Sequence, residues 1–192
     1  WSVNATAGLE YDSNPTLVGD STIGNFQEDD DVAGVFRAGG QIQPVDHEGA
    51  RLQLGYDGFV SLYHDTPDVS QQTHVAWANA LLDRDPIRVG VRYDFAYTDL
   101  SLNDRFRLLH RVLPSISLRN DDWGVTRLAY EFLASNFDDR GAPSDDDRSG
   151  PQHSIGLDQF VLLPAPLTFA QVGARATTFQ SDGSEFDYQG FD

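Results

Sequence analysis

Long segments in which apolar and polar residues alternate are the feature that most constrains the fold of this chain. Residues 1–12 place Trp, Val, Ala, Ala, Leu and Tyr at the odd positions and Ser, Asn, Thr, Gly, Glu and Asp at the even ones. Residues 50–63 and 87–98 show the same pattern. Successive side chains of a β-strand point to opposite faces, so each segment predicts a strand with one apolar and one polar face.

Weaker alternation extends over residues 32–43, 105–119, 124–135 and 154–163, while residues 73–82 and 167–179 predict strands whose facing the pattern leaves open. The chain therefore contains about nine strands, and a tenth begins around Phe186 and Tyr188. Each strand spans roughly 10 to 12 residues, about twice the usual globular length and long enough to cross a bilayer at a tilt. No segment approaches the roughly 18 uncharged apolar residues that a transmembrane helix needs.

The segments between the predicted strands alternate in length. Short turns are predicted at 44–49, 83–86, 120–122 and 164–166, where Pro, Gly, Asn and Asp are frequent. Longer polar or acidic segments lie between them, at 13–31, 65–72, 99–104 and 136–152. Outer-membrane barrels alternate periplasmic turns with longer extracellular loops, so we expect an antiparallel transmembrane β-barrel with its N-terminus on the periplasmic side.

A soluble acidic β-protein is the alternative fold, since β-sandwiches also contain many strands. Sandwich strands are shorter and their outward face carries charge, whereas the apolar faces of the five clearest strands here carry no charged residue. Aromatic residues near the predicted strand ends fit the girdles of a membrane barrel, although aromatics are also common in strands generally. They are Trp1 and Trp123 on one side and Tyr11, Tyr97 and Phe132 on the other.

Composition narrows the range of functions. The formal net charge is -17, and all 13 basic residues are Arg, which argues against nucleic acid as a partner. The chain has no Cys, so it contains no disulfide and no thiolate metal site. Because bacterial barrels close with an even number of strands, we expect residues 1–192 to be a single barrel domain that is incomplete at its C-terminus.

Several short motifs resemble outer-membrane barrel domains that follow periplasmic tetratricopeptide repeats. The segment GLEYDSNPT at 8–16 is similar to the GxxYDSN first strand of such domains. Similar pieces occur across nearly the whole chain: YH at 63–64, QQTH at 71–74, YDFAY at 93–97, LPSI at 113–116 and GSEFDY at 183–188. That group includes surface lipoprotein assembly modifiers and exopolysaccharide export barrels. The resemblance implies a repeat domain upstream, further strands downstream, and passage or placement of a large substrate across the outer membrane.

The polar faces predict a lumen wall that is net positive and rich in arginine. Its predicted members are Arg37, Arg51, Arg88, Arg92, Arg105, Arg107, Arg111, Arg127 and Arg175, opposed by Glu10, Asp57, Asp94, Glu131 and Asp158. One predicted strand carries Arg105, Arg107, Arg111 and Arg119 on a single face. Such a ladder can bind carboxylate or phosphate groups, which suggests an anionic polymer or solute as substrate. The alternative is a salt-bridge network that fills and braces the lumen.

The loops offer two other chemistries. Asp138, Asp139, Asp145, Asp146 and Asp147 could bind a divalent cation, but EF-hand spacing is absent and a solvated, self-repelling loop explains them more simply.

His64 and His74 flank one predicted loop, and with Asp65 they could form a metal site or the acid–base pair of an outer-membrane hydrolase. Hydrogen bonding at the base of the loop is the simpler alternative. No nucleophile accompanies the two histidines. We therefore predict a porin-like channel or export pore in the outer membrane, with lipid as a partner, no cofactor and no enzyme activity.

Overall fold

The computed structural model of the chain describes residues 1–12, 31–65, 67, 70–100, 104–120, 123–138, 149–163, 168–181 and 188–191. These residues contain no α-helix, and accordingly none that is long and apolar enough to span a membrane. They form ten strands: β1 (Ser2–Asp12), β2 (Asp31–His47), β3 (Ala50–Tyr63), β4 (Gln71–Arg84), β5 (Ile87–Leu100), β6 (Asp104–Asn120), β7 (Gly124–Phe137), β8 (Gly150–Leu162), β9 (Phe169–Phe179) and β10 (Tyr188–Phe191).

The ten strands form one antiparallel sheet in which each strand pairs with its neighbours in the sequence. The prediction of an all-β antiparallel fold is confirmed. β1 and β10 are the two edges of the sheet, and no pairing between described residues joins them. The sheet is therefore not closed in the described part of the chain, and closure into a barrel stays a prediction.

Every predicted strand is present, and several are longer than the alternation indicates. β2 continues past Gln43 to His47 because the register shifts between Ile42 and Val45, which makes room for Pro44. A bulge accommodates proline because proline has no N–H to donate to the ladder. The predicted turn at 44–49 thus shortens to two residues, of which Gly49 has a φ of 82° and lies in the left-handed region that favours glycine.

The two ends of the sheet differ in their connections. Residues 48–49, 85–86, 121–123 and 163–168 connect strands at one end, here called the short-turn end; the other connections lie at the long-loop end. Three predicted long segments remain long, although residues 13–30 and 139–148 lie outside the described part of the chain. The predicted segment 99–104 shortens to 101–103, because β5 reaches Leu100 and β6 begins at Asp104.

The sheet has one apolar and one polar face, since residues paired across neighbouring strands point to the same side. The apolar face includes Val3, Leu9, Val32, Phe36, Leu54, Tyr56, Val89, Val91, Tyr93, Ile116, Leu118, Leu128, Tyr130, Ile155, Leu157 and Val172. Leu9 is 84% exposed and Val172 73%. Ala33 is the only buried hydrophobic residue among those described, so the described sheet has no hydrophobic core of its own.

The register also decides the facing of β4, which alternation leaves open. Trp77 pairs with Gly55 and Val75 pairs with Asp57, so both apolar residues lie on the polar face. Ala76 and the neighbouring alanines of β4 lie on the apolar face. Because β4 carries apolar residues on both faces, its hydropathy does not alternate.

Gly55 makes room for the Trp77 ring across the β3–β4 pair. A Cβ atom at Gly55 would overlap the indole, which also donates a hydrogen bond of 3.0 Å to Asp57. We expect Gly55→Ala to displace the ring and to lower the free energy of unfolding by about 1–3 kcal/mol. The measurement is urea unfolding followed by tryptophan fluorescence. Gly156→Ala is the matched control, because its nearest non-neighbouring atom would lie 3.7 Å away; equal destabilisation in the two variants would contradict the expectation.

Candidate functional site

A connected set of polar side chains crosses the middle of the polar face from β3 to β7. We call it the charged belt, and its members are Asp57, Trp77, Arg92, Asp94, Arg111 and Glu131. Three of the members are acids spaced by 37 residues, at Asp57, Asp94 and Glu131. Each acid is the eighth residue of a strand that follows a short turn, so strand pairing brings the three to one level of the sheet.

Asp94 is the centre of the charged belt. Its side chain is buried, at 3% exposure, and each carboxylate oxygen accepts hydrogen bonds from a different arginine. Arg92 donates to Oδ1 at 2.8 Å, and Arg111 donates to Oδ2 at 2.8 and 2.9 Å. Each arginine contacts its oxygen through both Nε and Nη2, and these charge-assisted contacts hold both guanidinium planes in fixed orientations.

The outer members extend the belt in both directions. The Arg92 guanidinium lies 5.0 Å above the Trp77 ring, and the Trp77 indole donates to Asp57. On the other side, Arg111 lies 3.8 Å from the Glu131 carboxylate. Each cation in the belt is therefore shared between two partners, which braces five adjacent strands.

A second group of ion pairs lies at the short-turn end of the sheet. Arg51 lies 3.8 Å from Asp46, Arg119 lies 2.9 Å from Asp85, and Arg88 pairs with Asp83. These side chains line a cleft of ≈ 650 Å³. All six are at least 40% exposed, and exposed pairs of this kind contribute little to stability.

A second cleft, of ≈ 420 Å³, lies over β7, β8 and β9. Ala129 and Gly156 pair across its floor, and the side chains of Arg127 and Arg175 line it. Neither arginine forms an ion pair with a described residue, although Asp158 is the cross-strand partner of Arg127. Asp158 instead accepts a hydrogen bond from Gln171 at 3.2 Å. Within the described part of the chain, these two guanidinium groups are therefore available to contact a ligand.

The predicted arginine ladder of β6 is divided among different partners. Arg111 belongs to the charged belt, Arg119 pairs with Asp85, and the Arg107 guanidinium stacks over Phe137 at 5.1 Å. The side chain of Arg105 lies outside the described part of the chain. The arginines do not form a continuous ladder, because at each level of the sheet a different residue of a neighbouring strand or turn lies beside β6. Arg37, on β2, stacks over Phe59 at 5.0 Å.

The polar face is also less positive than its sequence pattern predicts. Four acids beyond the predicted lumen set lie on it near strand ends: Asp12, which the sequence places on the polar face of the first strand, and Asp31, Asp46 and Asp83, where the sequence indicates loops and turns. The described side chains of this face include nine arginines and nine carboxylates: Arg37, Arg51, Arg88, Arg92, Arg107, Arg111, Arg119, Arg127 and Arg175; Glu10, Asp12, Asp31, Asp46, Asp57, Asp83, Asp94, Glu131 and Asp158. Charge is therefore balanced overall and unbalanced only locally.

The histidines expected at the loop base do not meet. His74 lies on the apolar face, where its Nδ1 atom bonds the Tyr56 hydroxyl, and no described contact joins it to His64. The backbone N–H groups of His64 and Asp65 donate instead to the buried carboxylate of Asp31.

No group of three or more His, Asp or Glu in the described ranges is arranged to hold a metal ion, and Asp145, Asp146 and Asp147 lie outside those ranges.

Two more tyrosine–histidine pairs lie on the apolar face. The Tyr93 hydroxyl lies 2.8 Å from Nδ1 of His110, and the Tyr130 hydroxyl lies 2.6 Å from Nδ1 of His153. With Tyr56, the tyrosines recur every 37 residues, and each directly precedes an acid of the charged belt. Sequence reasoning missed the pairs because it treated each strand separately; the recurrence of Tyr followed by Asp or Glu could have revealed them.

Asp94→Asn tests whether the charged belt stabilises the sheet. Asparagine carries no charge to balance two guanidinium groups, so we expect the free energy of unfolding to fall by about 1–3 kcal/mol. In the control, Asp57→Asn, an amide oxygen can still accept the Trp77 N–H, and we expect a change below about 0.5 kcal/mol. Urea unfolding of both variants provides the comparison, and an Asp94→Asn variant as stable as the control would refute a bracing role.

No family model matches the chain, and comparisons with curated proteins and with solved structures likewise returned no match. The resemblance to barrel domains that follow tetratricopeptide repeats therefore stays a prediction.

Proposed function

We propose that the chain forms part of the wall of an outer-membrane β-barrel whose polar face lines a channel or export pore. The observation that carries this proposal is the exposed apolar face of a sheet one layer thick, in which Ala33 is the only buried hydrophobic residue among those described. Contiguous apolar surface of this extent is rare on soluble monomeric proteins. Lipid would cover the apolar face and leave the polar face toward water.

Strand length and the distribution of charge support a lipid environment. Nine strands contain 11 to 17 residues, and a tilted strand needs about 9–11 residues to cross a bilayer. Among the described side chains, the Asp and Arg residues of the apolar face lie at strand ends, at Asp99 and Arg84. Charge placed farther inside a lipid-facing surface costs about 2–4 kcal/mol for Arg.

The proposal requires the sheet to close. An unpaired strand edge in hydrocarbon would leave backbone N–H and C=O groups without partners, at a cost of several kcal/mol each. β1 and β10 must therefore both be covered, as further strands downstream would do.

We infer the chemical class of the cargo from the arginines of the polar face, which fall into two groups: those that form ion pairs and those that do not pair with a described residue. The arginines of the charged belt are neutralised by Asp94 and Glu131 and serve to brace the wall. Arg127 and Arg175 carry no ion pair with a described residue, and the floor between them consists of small residues. Guanidinium groups bind carboxylate and phosphate in a bidentate manner, so an anionic solute, an anionic polymer or an acidic segment of a surface protein fits this wall.

Arg127→Gln tests which face lines the pore. We expect the full-length protein in planar bilayers to conduct, and its anion-to-cation permeability ratio to fall by about twofold in this variant, because charge in a pore wall sets the local ion concentration. The reversal potential in a salt gradient measures this ratio. Arg84→Gln is the matched control: it removes the same charge from the opposite face, so the ratio stays unchanged.

Two outcomes would contradict the proposal. A full-length protein that remains monomeric and folded without detergent or lipid would refute the membrane assignment. Equal shifts of the reversal potential in Arg127→Gln and Arg84→Gln would refute the assignment of the polar face to the lumen.

A further inference from the structure

The three tyrosine–histidine pairs form a row on the apolar face. They occur in the three consecutive hairpins β3–β4, β5–β6 and β7–β8, with ring centroids 6.0 to 6.2 Å apart. In each hairpin the histidine lies eight residues along its strand from the residue that forms the last cross-strand pair at the short-turn end. His74, for example, lies eight residues before Leu82. The pairs are Tyr56–His74, Tyr93–His110 and Tyr130–His153.

This row lies where the hydrocarbon surface gives way to polar residues. Toward the short-turn end, apart from Arg84 and Asn120 at the last positions of β4 and β6, the apolar face of β3 to β6 carries hydrocarbon side chains: Ala50, Leu52, Leu54, Ala76, Ala78, Ala80, Leu82, Ile87, Val89, Val91, Val112, Pro114, Ile116 and Leu118. Toward the long-loop end, Gln72, Asp99 and Asn136 follow the row within one to three positions of this face, among apolar residues such as Val60, Tyr97 and Leu108. The row therefore lies at the level where polar side chains begin to interrupt the apolar face.

Its height agrees with the upper border of a membrane-spanning band. Eight residues at about 3.3 Å each, in a strand tilted by about 40°, rise roughly 20 Å along the membrane normal. The apolar band of an outer-membrane barrel is about 25 Å tall. Measured from the short-turn end, the imidazoles thus lie within about the last 5 Å of the apolar band, next to the headgroup region of the far leaflet.

Each pair has one more donor hydrogen than it can use. If the tyrosine hydroxyl donates to Nδ1, the Nε2–H of the neutral histidine remains; if Nδ1–H donates to the hydroxyl oxygen, the hydroxyl hydrogen remains. Neither residue of any pair forms a further hydrogen bond with a described residue. The tyrosines are 39% to 47% exposed, and the histidines are half-buried or exposed, so an acceptor outside the protein can approach the free hydrogen in either arrangement. An acceptor outside the protein must satisfy it, because an unsatisfied donor in an apolar medium is costly.

We propose that this row binds the phosphate groups of lipid headgroups in the leaflet at the long-loop end, an inference that rests on the proposed membrane function. Phosphate oxygens are anionic acceptors, and hydrogen bonds to charged acceptors are about twice as strong as neutral ones. Each hairpin provides one donor. In the β5–β6 and β7–β8 hairpins a second aromatic ring packs beside it, since the centroids of Phe95 and Phe132 lie 5.2 Å from those of His110 and His153. The apolar surface below the row accommodates the acyl chains of the same lipids.

The test measures lipid selectivity of the full-length protein in nanodiscs that contain equal amounts of phosphatidylglycerol and a phosphate-free galactolipid with the same acyl chains. Native mass spectrometry counts the lipids that remain bound. We expect phosphatidylglycerol to be enriched, and the enrichment to fall at least about threefold in a six-site variant that replaces both residues of each pair with Phe, which keeps the aromatic surface but removes every donor hydrogen of the row. Its changes are Tyr56→Phe, His74→Phe, Tyr93→Phe, His110→Phe, Tyr130→Phe and His153→Phe. The control carries His47→Phe and His64→Phe, which lie outside the row, and retains the enrichment.

Different failures have different meanings. If the native protein does not insert into any bilayer, the membrane function and this proposal both fail. If it inserts but binds both lipids equally, or if the six-site variant retains the enrichment, only the headgroup proposal fails. Should the six-site variant not insert, the double variant Tyr93→Phe, His110→Phe decides the question, since it is expected to lose about a third of the enrichment if the three sites act independently.

Discussion

A sheet one layer thick has no interior, so each side chain must suit the medium that covers its face. In this protein the strict two-residue period of β-structure separates the side chains into an apolar and a polar set. The backbone groups are satisfied by neighbouring strands, and no second layer is present among the described residues to bury the apolar set. The proposed lipid contact, the charged belt and the tyrosine–histidine row all depend on this separation.

Electrostatics on the polar face follows from strand register. Asp94 is buried because Arg92, two residues earlier on β5, and Arg111, its cross-strand partner on β6, both approach it. Arg111 could not do so if β5 and β6 were paired one residue differently. A slip of one residue would also turn every polar side chain of the strand toward the apolar side. The ion pair between Arg111 and Asp94 and the separation of polar from apolar side chains therefore favour the same register.

The 37-residue recurrence of Tyr followed by Asp or Glu connects the two faces. Adjacent residues in a strand point in opposite directions, so Tyr93 reaches the apolar face at the same level at which Asp94 reaches the polar face. One dipeptide thus contributes to both the charged belt and the tyrosine–histidine row. Because three such dipeptides are spaced by 37 residues, the acids of the charged belt and the tyrosines of the tyrosine–histidine row recur together on every second strand.

Alternation in the sequence by itself determined the strands and the facing of β1, β3 and β5, because side-chain direction in a strand is a local property with a period of two residues. It did not determine the facing of β4, where Trp77 and Val75 lie on the polar face, nor the extension of β2 through Pro44. Only the tertiary structure decided that Arg111 meets Asp94 while Arg127 forms no ion pair with a described residue, and that His74 meets Tyr56 rather than His64. Cross-strand partners depend on register and on bulges such as the one between Ile42 and Val45, and these are set by pairing between strands, which no single strand's pattern contains.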